Sequence, residues 1–301
     1  MGVAAADYPL RPVAIPDVRV PRGFWASRLD ANRKVTVWHD FKMCEETHRI
    51  DNFAVAGGLK PGRFVGIYFN DSDVYKVIEG ASYVLATNPD PKLDRYLDDL
   101  IAKIAAAQED DGYLYTARRI GGPVRGIGPE RWSRLRNNHE LYNVGHLYEA
   151  AVAHFQATGK RTLLNVALKN ADLICRVFGP KGRHDVPGHQ EIEIGLVKLY
   201  RVTGDEKYLR QAKFFLDQRG RADGRSLYGE NLQDHLPVID QTEAVGHAVR
   251  ACYMYAAMTD IAALTGDEAY RRAVDRLWHN VVGKKLYLTG GVGASRRGEA
   301  F

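Results

Sequence analysis

The sequence predicts an all-α protein assembled from stacked helical hairpins, and three observations carry that expectation. From Trp25 onward almost every apolar segment repeats at three to four residues, as in Val74, Ile78, Ala81, Leu85 and again in Leu97, Ile101, Ile104. Three times an apolar helix closes in Thr-Gly and a second helix follows a polar step: Thr158-Gly159, Thr203-Gly204-Asp205 and Thr265-Gly266-Asp267. One histidine heads the first helix of each unit, namely His139 in Asn-Asn-His-Glu, His189 in Pro-Gly-His-Gln-Glu and His247 in Val-Gly-His-Ala.

Taken in order, the segment Tyr8 to Phe24 carries Pro9, Pro12, Pro16 and Pro21 with alternating Val18 and Val20. Proline lacks a backbone donor and fixes φ, so residues 1–24 read as an extended arm or edge strand that excludes a helix. Helices occupy the rest, residues 25–301. The run Asn70-Asp71-Ser72-Asp73 reads as an N-cap for a helix starting near Val74. Tyr113 and Tyr115 suit either a stacking wall or a core. In each later unit the glycine supplies a left-handed C-cap and the following aspartate caps the next helix. A polar, glycine-bearing insert, Gly220 to Pro237, lengthens the unit between Gly204 and Gly266. Gly290-Gly291-Val292-Gly293 lacks the Lys-Ser/Thr of a phosphate loop and reads as a turn that delivers Glu299.

Units of this size bury their apolar faces only by stacking, as an open solenoid or a closed ring. Three histidines at equivalent helix ends favour the ring, where they converge on a cavity and hydrogen-bond a polyhydroxylated ligand, a sugar, from several sides. A lone histidine at a helix start is more simply a cap or a packing residue; its recurrence argues for more. A three-histidine zinc site is disfavoured, because no close-spaced pair nucleates it.

The totals exclude several classes. Apolar residues make 45% and charged residues 26%, which suits a well-cored globule and not a disordered chain. The net charge of +5 comes from interspersed signs without a basic run, so no nucleic-acid partner is expected. No stretch reaches the roughly 18 apolar residues of a membrane span, and no leader precedes Pro12, so a cytoplasmic location is expected unless a signal was removed. Cys44, Cys175 and Cys252 are far apart and odd in number, and are expected to be buried free thiols.

Six ordered blocks then resemble one family. They are Phe69-Asn70-Asp71-Ser72-Asp73-Val74-Tyr75-Lys76, Asp111-Gly112-Tyr113-Leu114, His139-Glu140-Leu141-Tyr142 with Gly145-His146, Gly188-His189-Gln190-Glu191-Ile192-Glu193, Gly246-His247-Ala248-Val249-Arg250, and Tyr287 to Phe301. The chain thereby resembles the β-L-arabinofuranosidases of glycoside hydrolase family 127, a former domain of unknown function. The resemblance implies an (α/α)6 barrel followed by β-sandwich domains, and retaining, exo-acting hydrolysis of a β-linked L-arabinofuranosyl unit. It implies sugar contacts for His139, His189 and His247, and general acid/base catalysis for Glu299. It further implies a cysteine nucleophile on a zinc ion held by three cysteines and one glutamate, all further along than Glu299.

Because the chain ends at Phe301, the resemblance leads one to expect an incomplete barrel without sandwich domains, nucleophile or zinc ligands. On that reading zinc belongs to the complete enzyme, none to this chain, and the chain alone is inactive. Any homodimer would form through the sandwich domains. Glu299 should be protonated at the first step, through burial. Rival readings are an (α/α)6 sugar epimerase that uses the rim histidines, and a helical-repeat scaffold that binds peptides.

Overall fold

Residues 7–301 are described by a computed structural model of the chain, and among them regular structure is helical, with isolated bridges but no strand. The helices are α1 (Phe24–Ala31), α2 (Val37–Glu46), α3 (Arg49–Ala56), α4 (Asp71–Thr87), α5 (Pro91–Ala107), α6 (Thr116–Ile120), α7 (Glu140–Thr158), α8 (Thr162–Val177), α9 (Ile192–Thr203), α10 (Glu206–Gln218), α11 (Ala248–Thr265) and α12 (Glu268–Asn280). None is long and apolar enough to cross a membrane.

The chain divides into two compact units. One contains residues 12–134 and 146–173, the other residues 7–11, 135–145 and 174–301. In the first, α2, α3, α4 and α5 pack together. Helix α5 shows why: Leu93, Leu97, Leu100, Ile101 and Ile104 fall on one face and are buried, each such side chain contributing about 1.5–3 kcal/mol. Asp90 starts this helix by accepting the amides of Lys92 and Leu93.

In the second unit α9 pairs with α10, and α11 with α12. Each hairpin turns as the sequence implies. Gly204 and Gly266 take φ of 70° and 67° at the C-caps of α9 and α11, where a Cβ would be strained. Asp205 then accepts the amide of Lys207, and Asp267 those of Ala269 and Tyr270. The paired faces bury Leu196, Leu199, Phe215, Leu216, Met254, Met258 and Ile261.

The insert between α10 and α11 is tied down by buried polar groups. Arg219, wholly buried, donates to the carbonyls of Leu232 (2.9 Å) and Pro187 (2.7 Å). Asp234 accepts the amides of Gly220 and Tyr228, each at 2.6 Å, and the guanidinium of Arg225. The Gln233 side chain donates to Val245 and His247 carbonyls at 2.8 and 3.1 Å.

Four expectations change. The N-terminal arm contains no strand among its described residues, and Ile15–Asp17 form one 3-10 turn, which Pro16 tolerates because the first turn of a helix uses no amide donor there. Helix α4 begins at Asp71 rather than Val74, and its N-cap, Asn70, makes no side-chain cap bond. Asp71 instead accepts from Thr116, and Asp73 pairs with Arg49 at 2.7 Å, so neither acts as the cap: both side chains have better donors across the fold. Only Cys44 is fully buried; Cys175 is partly covered and Cys252 exposed, because it lies on the outer side of α11. Tyr113 and Tyr115 are core aromatics, 3% and 1% exposed, with Tyr113 edge-on to Trp132.

Candidate active site

The three unit-heading histidines lie in the second unit and meet there. The ring centroids of His139 and His189 are 5.5 Å apart, as are those of His189 and His247. Each owes its position to a helix start: His139 directly precedes α7, His189 lies three residues before α9, and His247 is the N-cap of α11. In the Gly246-His247 block the glycine has φ 71°, and a Cβ there would fall against the Glu230 carbonyl oxygen, so only glycine lets His247 approach the insert.

Hydrogen bonds assign the tautomers. His189 Nδ1 lies 2.8 Å from the carbonyl oxygen of Gln190, which only accepts; Nδ1 therefore carries the proton and Nε2 presents a lone pair. Burial pushes this imidazole far down, to about 2, and His139, Arg250 and His247 push the same way against the Gln190 carbonyl. It stays neutral. His247 is the opposite tautomer: its Nδ1 accepts the backbone amide of Arg250 at 3.4 Å, and its Nε2 donates to Glu299 Oε2 at 2.7 Å. Burial and Arg250 lower its pKa, while Glu299 opposes them.

Glu299 reaches His247 through the backbone. Ala300 bridges His247 and Ser295, and the amide of Phe301 donates to the Gly246 carbonyl at 3.0 Å. Gly298 and Glu299 turn with φ of 71° and 52° and hold the carboxylate over the imidazole. The expected burial is absent: the Glu299 side chain is 77% exposed even with Oε2 against His247.

Sequence reasoning missed three neighbours. Tyr142 packs 4.5 Å from His189 and 5.3 Å from His139, Tyr253 lies 5.8 Å from His189, and Arg250 acts on both His189 and His247. Tyr142 and Arg250 each stand three residues after a histidine, so helical spacing was the available signal.

Among the described residues no cysteine, and none of the three histidines, belongs to a cluster of converging metal-ligating atoms. Burial raises the Cys44 thiol to about 11, and partial desolvation raises that of Cys252 although its side chain reaches solvent, so neither is the ready thiolate that a zinc-held nucleophile requires. The zinc and thiolate implied by the resemblance therefore do not fit the cysteines of this chain.

Residues 17–301 match the family profile described as β-L-arabinofuranosidase, glycoside hydrolase family 127 catalytic domain. The chain is 38% identical to the non-reducing end β-L-arabinofuranosidase of Bifidobacterium longum subsp. longum over 276 residues, 85% of this chain and 42% of that protein. It superposes on a family 127 β-arabinofuranosidase with a TM-score of 0.93 at 52% identity, covering 98% of this chain and 47% of the other. The crystal structure of a family 127 β-L-arabinofuranosidase from Geobacillus stearothermophilus T6 gives 0.89 at 42% identity, covering 95% and 48%. The chain thus spans about half the length of these relatives or less. The expected fold class, all-α of the (α/α)6 type, agrees with these matches.

Proposed function

The chain belongs to the β-L-arabinofuranosidase family, glycoside hydrolase family 127, and on that premise we propose that it supplies the sugar-binding wall and the proton donor of a retaining, exo-acting β-L-arabinofuranosidase. The observation that carries this reading is the 2.7 Å contact of Glu299 with His247 beside His189 and His139. His189, held neutral by burial and with Nδ1–H on the Gln190 carbonyl, offers a directed acceptor to a sugar hydroxyl without attracting ions. Tyr142 and Tyr253 add ring surface for the apolar face of a sugar.

In the first half-reaction the bond from the anomeric carbon to the leaving oxygen breaks. The electron pair stays on that oxygen, which takes the proton of Glu299, while a nucleophile captures the anomeric carbon. In the second, the Glu299 carboxylate takes a proton from the attacking water, which releases the sugar with retention. The raised thiols of Cys44 and Cys252 do not suit that nucleophile. Zinc, where the family's thiolate is present, would keep that thiol deprotonated.

Titration of the chain with methyl β-L-arabinofuranoside tests the reading. Saturable NMR shifts at the His139 and His189 rings are expected, and none with a hexopyranoside. Rings that ignore the arabinoside would remove it. In an active enzyme containing this chain, Glu299→Gln should lower hydrolysis about 10²–10⁴-fold.

A further inference from the structure

We propose that the cleft between α10 and the turn 178–182 is a binding site for a sugar phosphate. Its lining residues all lie in the second unit and none belongs to the candidate active site, so the inference stands apart from the reading of Glu299.

The cleft has a volume of about 620 Å³ and is built on one face of α10. Lys207, Arg210, Gln211 and Phe214 recur there at three to four residues and so stand above one another on the helix. Opposite them the chain leaves α8 in a closed turn: the amide of Arg183 donates to the Val177 carbonyl at 2.8 Å and that of Gly182 to the Gly179 carbonyl at 3.0 Å. This turn carries Lys181 at an exposed position over the cleft. Behind it the ring of Phe178 packs 5.5 Å from that of Phe215, which lies 5.9 Å from Phe214. Phe178 and Phe215 are buried, whereas Phe214 is only partly covered and walls the cleft.

Two independent observations point to an anion. The first is charge. Arg176, Lys181, Lys207, Arg210 and Lys213 line the cleft with a single acid, Asp217. That carboxylate is already matched, by Lys213 Nζ at 2.9 Å and the Tyr270 hydroxyl at 2.8 Å. Asp205 and Glu206 hold Lys207 and Arg210 at 3.0 and 3.2 Å, but exposed pairs of this kind contribute little and yield to a stronger anion. Cations of one sign around a concave surface focus a field that an anion relieves. The second observation is Gln211, which is 6% exposed and lies against the cleft while its Nε2 meets no hydrogen-bond partner among the described residues. A buried amide donor left unmade is unfavourable, and a ligand oxygen would satisfy it.

A phosphoryl group answers both. It carries three acceptor oxygens and a charge of about −1.5 to −2 at pH 7, where a carboxylate brings only one charge. The cleft is much larger than a phosphoryl group requires, and Phe214 offers aromatic surface to the apolar face of an attached sugar ring.

The experiment is titration of the chain with glucose 6-phosphate, glucose and inorganic phosphate, followed by calorimetry and by NMR. Saturable binding of glucose 6-phosphate is expected, with shifts at residues 178–182 and at the Gln211 side-chain amide and with the His189 ring unmoved; inorganic phosphate should bind about tenfold more weakly and glucose not at all. Lys181→Ala and Arg210→Ala should each weaken the sugar phosphate about tenfold with unchanged melting, while Lys42→Ala, an exposed lysine on α2, should have no effect. Gln211→Met keeps the length of the side chain and removes the amide, so it should weaken binding without lowering the melting temperature. No saturable binding of glucose 6-phosphate, or binding that the Lys181 and Arg210 variants leave intact, would overturn the proposal. Inorganic phosphate binding as tightly as the ester would overturn the sugar phosphate in favour of the free ion, and displacement by an equal concentration of tetraglutamate would overturn it in favour of an acidic peptide.

Discussion

Asp71 accepts hydrogen bonds from both the backbone amide and the hydroxyl of Thr116, joining the first turn of α4 to the start of α6 while wholly enclosed. Burial raises this carboxyl to about 6, against the two Thr116 bonds that lower it. The folded chain therefore keeps a proton that the unfolded chain releases near 3.8. The stabilisation is complete below pH 3.8 and is lost as pH rises to about 6, a loss of about 3 kcal/mol. Urea unfolding of the chain and of Asp71→Asn at pH 4 and pH 7 measures it: the advantage of the native residue should shrink at the higher pH, and parallel profiles would contradict the assignment.

The hairpin caps make a second prediction. Asp267→Ala frees the amides of Ala269 and Tyr270 at the start of α12 and should cost about 1 kcal/mol, a fall of about 2–4 °C in the melting temperature. Asp267→Asn should retain most of the cap. Equal melting of both variants would show that the side chain does not cap.

Gly145 tests close packing behind the histidines. A Cβ there would lie 2.6 Å from Glu191 Cγ and 2.7 Å from the Ile192 amide nitrogen at the start of α9. Backbone cannot yield as a flexible side chain does, so Gly145→Ala should destabilise by about 1–3 kcal/mol and displace the His189 ring resonances. A variant with native melting and unshifted His189 signals would show that α7 has room to spare.

His189→Phe keeps an aromatic ring and removes the Nε2 lone pair. Arabinoside affinity should fall roughly tenfold, about the worth of one hydrogen bond. Because His189 is held far below the ordinary histidine range, its contribution to affinity in the native chain should stay flat from pH 8 to pH 4. Calorimetric titration across that range checks both, and a histidine-like midpoint near pH 6.5 traced to His189 would refute its neutrality.

The repeats were readable because their signals are local. Thr-Gly-Asp encodes a C-cap, a turn and an N-cap within a few residues, and Gly204, Asp205, Gly266 and Asp267 do what that pattern implies. The histidines were readable because three equivalent helix starts recur. Asp71 and Asp73 were misread because an acidic run beside a helix start looks the same whether its partners are adjacent amides or residues such as Thr116 and Arg49 elsewhere in the fold. The cysteines were misread for a related reason: helical periodicity locates a stripe, but a mildly apolar residue beside it, such as Cys252, faces either way. The exposure of Glu299 had no local signature, since it depends on how the Gly298 turn lies over α11.

The insert that separates α10 from α11 grips the peptide of His247, since Gln233 donates to its carbonyl and the Asn231 carbonyl accepts its amide. A polar surface excursion thus brackets the backbone on which His247 meets Glu299. Evolutionary drift at Gln233 or Asn231, residues that need touch no substrate, would be felt in the aim of Glu299, so this stretch should tolerate replacement far less freely than its polar, glycine-rich composition suggests.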